Sequence, residues 1–232
     1  MQALNIELSK GESIYSESGG MSWMSDNIKM DTDAKGGIMQ GIKRKFSGET
    51  FFLNTFTCQE GTGIITFTNE FPGKILVLDL TGKNEYICQK DAFMCATSDV
   101  KLEMHFRKKL GAGFFGGEGF ILQKISGKGK AFVELSGEVI ELSLKKGQTL
   151  KVDTGHIAMY EPTVDFDIVM VEGIKNIFVG GEGLFLSTLT GPGKVWLQTM
   201  PLTNLAKKIG SFYSTKRPGV VSNIIDGVSR GI

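Results

Sequence analysis

Polar and apolar residues alternate along Asp99-Val100-Lys101-Leu102-Glu103-Met104-His105-Phe106, and again along Thr163-Val164-Asp165-Phe166-Asp167-Ile168-Val169-Met170. A period of two sends Val100, Leu102, Met104 and Phe106 to one face of a strand and the charges to the other. Asn27-Ile28-Lys29-Met30 is a shorter segment of the same kind, and Leu4, Ile6 and Leu8, Leu76, Leu78 and Leu80, and Ile140, Leu142 and Leu144 predict further core-facing strand positions. The period changes after Met200. Leu202, Leu205, Ile209 and Phe212 follow at spacings of three and four, which predicts a helix, and Val220, Val221, Ile224, Ile225 and Val228 predict a second one after Pro218. Both apolar stripes need cover, first from the β body, then from another subunit, and last from a membrane surface, because their polar faces carry few cations.

The strand pattern is repeated. Gly116-Gly117-Glu118-Gly119-Phe120-Ile121-Leu122 is copied by Gly180-Gly181-Glu182-Gly183-Leu184-Phe185-Leu186, and the step from Glu118 to Glu182 equals the step from Asp99 to Thr163. Ser47-Gly48-Glu49-Thr50-Phe51-Phe52-Leu53 is a looser copy. The step from Asn27 to Asp99 exceeds the step from Glu49 to Glu118 by three, so three residues are inserted between strand and turn. Two features with one offset argue for a true repeat. Each run also leads to a second glycine-rich segment read as a turn: Glu60-Gly61-Thr62-Gly63, Ser126-Gly127-Lys128-Gly129 and Thr190-Gly191-Pro192-Gly193. The expected fold is all-β: three tandem sandwich-like repeats at about 1–72, 73–137 and 138–203, packed with pseudo-threefold symmetry into one body, and a helical tail at 204–232. A unit of about 60 residues buries too little surface to stand alone, hence the packing.

Composition agrees with many short strands and tight turns: 31 glycines stand against 5 prolines, with 16 phenylalanines. A net charge of +1 supplies no field for nucleic acid or an acidic membrane, and both are disfavoured as partners. The tail from residue 204 carries +4, with Lys207, Lys208, Lys216, Arg217 and Arg230 against Asp226, which reads as the solvated face of a terminal helix. Lys43-Arg44-Lys45 reads as part of a solvated loop at 31–47. No signal-peptide core and no run of 18 apolar residues occurs, so a soluble cytoplasmic protein is expected. Cys58, Cys88 and Cys95, without a C-x-x-C pair, read as buried reduced thiols.

Candidate chemistry is sparse. Gly111-Ala112-Gly113-Phe114-Phe115-Gly116 matches the dinucleotide fingerprint in letters, but a β run follows where the phosphate-binding helix belongs. His105, on the polar face of its strand, reads as a surface residue, and His156, in a turn after Gly155, as a maker of local hydrogen bonds; two histidines in non-corresponding places do not make a cupin-type metal centre. There is no G-x-S-x-G, H-E-x-x-H or P-loop. The repeated polar set is Glu49, Glu118 and Glu182, which pseudo-threefold packing would gather into a ring if they lie near the axis; the simpler reading is that each bonds the turn amides beside its own glycines.

Lys10-Gly11-Glu12 with Gly19-Gly20-Met21, Ser47-Gly48-Glu49 with Phe52-Leu53-Asn54-Thr55-Phe56, Gly117-Glu118-Gly119, Asp153-Thr154-Gly155-His156, and Gly181-Glu182-Gly183 with Gly191-Pro192-Gly193-Lys194-Val195-Trp196-Leu197-Gln198 resemble the altered-inheritance-of-mitochondria family of uncharacterised proteins. The resemblance implies a triplicated β fold similar to the tryptophan RNA-binding attenuation protein (TRAP-like), in the double-stranded β-helix class. It implies no established activity, catalytic residue, cofactor or metal. The expectation that follows is a non-catalytic binding or scaffold protein with an unknown protein partner or small ligand. A small-ligand sensor is the alternative, RNA binding rests on fold analogy only, and a homo-oligomer through the C-terminal helices is one way to cover their stripes.

Overall fold

The computed structural model describes residues 1–32, 53–108, 119–170 and 185–214. These are mostly β. The first third holds β1 (Ala3–Ser9), β2 (Ser13–Glu17), β3 (Met21–Met24), β4 (Ile28–Asp31), β5 (Leu53–Cys58) and β6 (Thr62–Thr68). The second holds β7 (Gly73–Thr81), β8 (Tyr86–Gln89), β9 (Phe93–Thr97), β10 (Val100–Lys108) and β11 (Phe120–Ser136). The last holds β12 (Val139–Leu144), β13 (Thr149–Asp153), β14 (Ile157–Tyr160), β15 (Asp165–Met170), β16 (Phe185–Thr190) and β17 (Gly193–Gln198), and α1 (Leu202–Ser214) follows.

All ladders are antiparallel, and their registers recur. Lys29 pairs with Thr57, Lys101 with Ser126 and Asp165 with Thr190. Ser16 pairs with Asn54, Cys88 with Gln123 and Val152 with Ser187. Within each series the partners are displaced along the chain by the same steps that separate the sequence motifs. A bulge recurs at the same place: the register slips across Ser22 between Met21 and Trp23, across Met94 between Phe93 and Cys95, and across Ala158 between Ile157 and Met159. Each bulge turns its strand more sharply and exchanges the faces of the residues on either side of it. Turn chemistry recurs too. Glu12 accepts the Ser9 amide at 2.7 Å, and Gln148 accepts the Lys145 amide at 3.0 Å, each beside a left-handed glycine, Gly11 or Gly147.

The strands form an 11-stranded sheet, in which β12-β17-β14-β8-β11-β9-β2-β5-β4 is the main path, and two three-stranded sheets, β1-β6-β3 and β13-β16-β15. Two seams join the thirds: β2 to β9, with Ser16 opposite Cys95, and β8 to β14, with Cys88 opposite Met159. No ladder joins the first third to the last among the described residues. Three apolar clusters fill the interior. The one around Phe56 and Phe67 takes Cys95 and Phe132 from across its seam, and the one around Tyr160 and Ile168 takes Ile87 and Leu122. Tyr15 reaches over the first seam and donates to the Val100 carbonyl at 3.1 Å.

Three readings need correction. Ser126-Gly127-Lys128-Gly129 is no turn: β11 runs through it as one strand of 17 residues. Gly127 and Gly129, at φ +99° and +130°, let the strand bend so that its first half pairs β10 and β8 and its second half β7 and β9. Ile140 is exposed, because β12 is the terminal strand of its path and lacks cover, whereas Leu142 and Leu144 do pack inward. The helix predicted from Leu202 forms, two residues ahead of the expected start of the tail, but its stripe is not buried on the β body: Ile209 is 49% and Phe212 64% exposed. The second predicted helix lies outside the described residues.

Candidate functional site

A cleft of about 340 Å³ opens where the second and last thirds meet, with Phe71 from the end of the first third on one wall. Its polar side is Gln89 at the end of β8 with Lys90 and Asp91 after it, Glu134 and Ser136 near the end of β11, and Gln198 at the end of β17; Phe71, Ala92, Phe120, Ile121, Pro201 and Leu202 form the apolar walls. Alternation places these groups. In Ala131-Phe132-Val133-Glu134-Leu135-Ser136 the glutamate is opposite in parity to Val133 and Leu135, which fill one core cluster.

Gln198 ties the floor together. Its Oε1 accepts the Ser136 amide at 3.0 Å, its Nε2 donates to Gln89 Oε1 at 3.2 Å and to the Gly155 carbonyl at 2.9 Å, and its backbone oxygen meets His156 Nδ1 at 2.8 Å. His156 therefore bonds to a distant strand, and not locally as its turn suggested. Glu134, 6% exposed, accepts from the Glu70 amide at 3.0 Å and from Asn69 Nδ2 at 3.3 Å through one oxygen. Burial pushes its carboxyl up to about 7, helped by the charges of Glu70 and Asp91 and opposed by those two hydrogen bonds. A carboxyl poised near neutrality both donates and accepts hydrogen bonds.

Nearby, burial also pushes Glu17 upward, and Gln123 Nε2 reaches its Oε1 at 3.4 Å while Gln123 Oε1 has no hydrogen-bond partner. A second hollow of about 320 Å³ lies along the same seam, between His105, Phe106, Tyr160 and 162–166. The Tyr160 ring stacks on Phe166 at 5.7 Å, and its buried hydroxyl has no partner. His105 is exposed, as expected, and partial burial with the Lys124 charge lowers its affinity for a proton.

All three cysteines are free and buried, and burial drives the Cys88 and Cys95 thiols well above their ordinary range, which makes them poor nucleophiles. Among the described residues, no three His, Cys, Asp or Glu side chains gather as metal ligands would. No described helix is long and apolar enough to cross a membrane. Glu49, Glu118 and Glu182, and the Gly111–Gly116 loop, lie outside the described residues. Sequence reasoning missed Glu134 and Gln198. The available signal was a charged residue inside an otherwise apolar run.

Comparison with known proteins places the chain. An uncharacterised protein of Streptococcus pyogenes serotype M6 is 26% identical over 220 residues, covering 91% of this chain and 87% of the relative. The crystal structure of a Streptococcus pyogenes protein superimposes with a TM-score of 0.73 at 24% identity, over 90% of this chain and 94% of that one, and shows the fold. The relatives carry no assigned activity. The family model described as mitochondrial biogenesis AIM24 matches residues 1–200, and the chain belongs to that family.

Proposed function

We propose that the chain is three copies of one TRAP-like β unit and that it works as a non-catalytic binding protein, holding a small ligand in the cleft between the second and third copies. The triplication is supported by the recurring registers, the three bulges at equivalent positions and the repeated turn caps. Two copies are joined at each of two seams; the third seam of a closed threefold body is not made among the described residues.

The observation that carries the binding reading is the cleft itself, of ligand size, with Glu134 at its polar side and apolar walls opposite. With Glu134 and Asp91 against Lys90, and Glu70 beside them, the lining favours a ligand with an apolar body and a neutral or cationic polar end. Native mass spectrometry of the freshly purified chain tests this. A bound mass that disappears in Thr203→Trp, which places a large ring at the cleft's rim, is the expected result; a bare chain under gentle conditions refutes the reading. A protein partner is the second reading, favoured by the exposed Ile209 and Phe212 on α1.

A further inference from the structure

The two seams are one joint made twice. Ser16 opposes Cys95 in the first and Cys88 opposes Met159 in the second, so the second strand of one unit pairs the third strand of the next. Continuing the series brings β13 to β3. These are the terminal strands of the two three-stranded sheets, and no ladder covers either outer edge among the described residues. The equivalent position shows what is missing. Cys95 and Met159 are 0% exposed at the finished seams, whereas Trp23, their counterpart on β3, is 57% exposed. A large aromatic side chain on an uncovered strand edge is a surface built for pairing.

We propose that a second copy of this chain supplies the absent half: β13 of one copy adds to β3 of the next, head to tail, by β-augmentation. The occupant follows from the internal seams, since among the described residues the strand with the equivalent unit position and a free edge is this chain's own β13. The inference rests on the triplicate reading, which also sets the register: Val152 opposite Trp23 and Lys151 opposite Met24. Lys151 stands where Tyr15 stands at the first seam. There the Tyr15 hydroxyl donates to the Val100 carbonyl; the lysine ammonium carries an equivalent donor toward the Ile28 carbonyl of the second copy. An edge lysine also guards against indiscriminate strand stacking, so the joint selects a strand that offers an acceptor there. Because each copy presents two different edges, the contact is heterologous, and copies close into a ring when the rotation per copy permits it.

The test uses the full chain. Light scattering across a concentration series should give a multiple of the chain mass for the native protein, and the monomer mass for Trp23→Lys with an unchanged circular dichroism spectrum; Trp23 is exposed, so the change does not disturb the core. In the double variant Trp23→Cys, Val152→Cys, oxidation should link copies to one another, since directly opposed residues sit at Cα distances of about 4.5–5.5 Å, within disulfide reach. A native chain that stays monomeric overturns the interface and leaves the triplication untouched, because the internal registers are unaffected. An oligomer that survives Trp23→Lys also overturns it. An oligomer that depends on Trp23 but gives no link between positions 23 and 152 refutes the register, and with it the extrapolation from the repeats.

Discussion

Replacing Glu134 by Gln separates the charge of this residue from its geometry. The amide keeps an oxygen for the Glu70 amide at 3.0 Å and for Asn69 at 3.3 Å, and loses only the ability to ionise. The folded carboxyl titrates at about 7 against 4.5 for the free side chain, because burial disfavours its charged form. Between those values the folded protein binds the proton that the unfolded chain has released. Stability therefore falls as pH rises through this window: the cost is absent below about 4.5 and complete above about 7. A displacement of one pH unit is worth about 1.4 kcal/mol, so the ceiling is about 3 kcal/mol, and solvent screening in an open cleft reduces it to about 1–2 kcal/mol. Thermal unfolding of both proteins at about pH 5 and about pH 8 reads this out, since about 1 kcal/mol moves Tm by about 2–4 °C in a chain of this size. Glu134→Gln should melt about 2–8 °C above the native protein at the higher pH, with little of that gain at the lower. Equal effects at the two pH values would show that the carboxyl is not charged at a cost in the fold, and the account of the cleft as a poised acid would be wrong.

Gly127→Ala should destabilise the fold by more than about 1 kcal/mol in urea titration: φ is +99°, and a Cβ there would run into the Asp99 carbonyl. A midpoint equal to the native one would mean that β11 does not need its bend. Cys58, Cys88 and Cys95 should resist a thiol reagent in the native chain and all react once it is unfolded; fast labelling of Cys88 or Cys95 before unfolding would contradict their burial.

Strands were legible wherever one face is buried and the other wet, because period two then survives in the letters: Val100 and Leu102 face inward as the alternation requires, whereas a register shift between Met104 and Phe106 breaks the period and sends Phe106 to a different apolar cluster. Where the environment and not the local pattern decides, the letters misled. Glycine at positive φ serves equally in a turn and in a bent strand, so Gly127 and Gly129 read as a break that the two-sided pairing of β11 removes. Helical spacing announced α1 correctly, yet spacing says nothing of whether a partner surface is present, and Ile209 and Phe212 stay exposed. Ile140 failed for the same reason at a sheet edge.

The cleft was overlooked for a different reason. Glu134 and Gln198 are separated by the same step as Asp99 and Thr163, the offset of the last two copies, so on the triplicate reading they occupy one position of the unit, and register places Thr68 there in the first copy. Searching a repeat for shared residues picks out what the fold needs in every copy, such as turn glycines and core positions. A single asymmetric site has to be sought where the copies differ. Only the middle copy puts a carboxyl at this position, and only the last puts an amide there long enough to bond β8, β11 and the Gly155 turn at once. On the same reading Trp23 is where the first copy differs from Cys95 and Met159, and its strand edge is one that the chain does not cover for itself among the described residues.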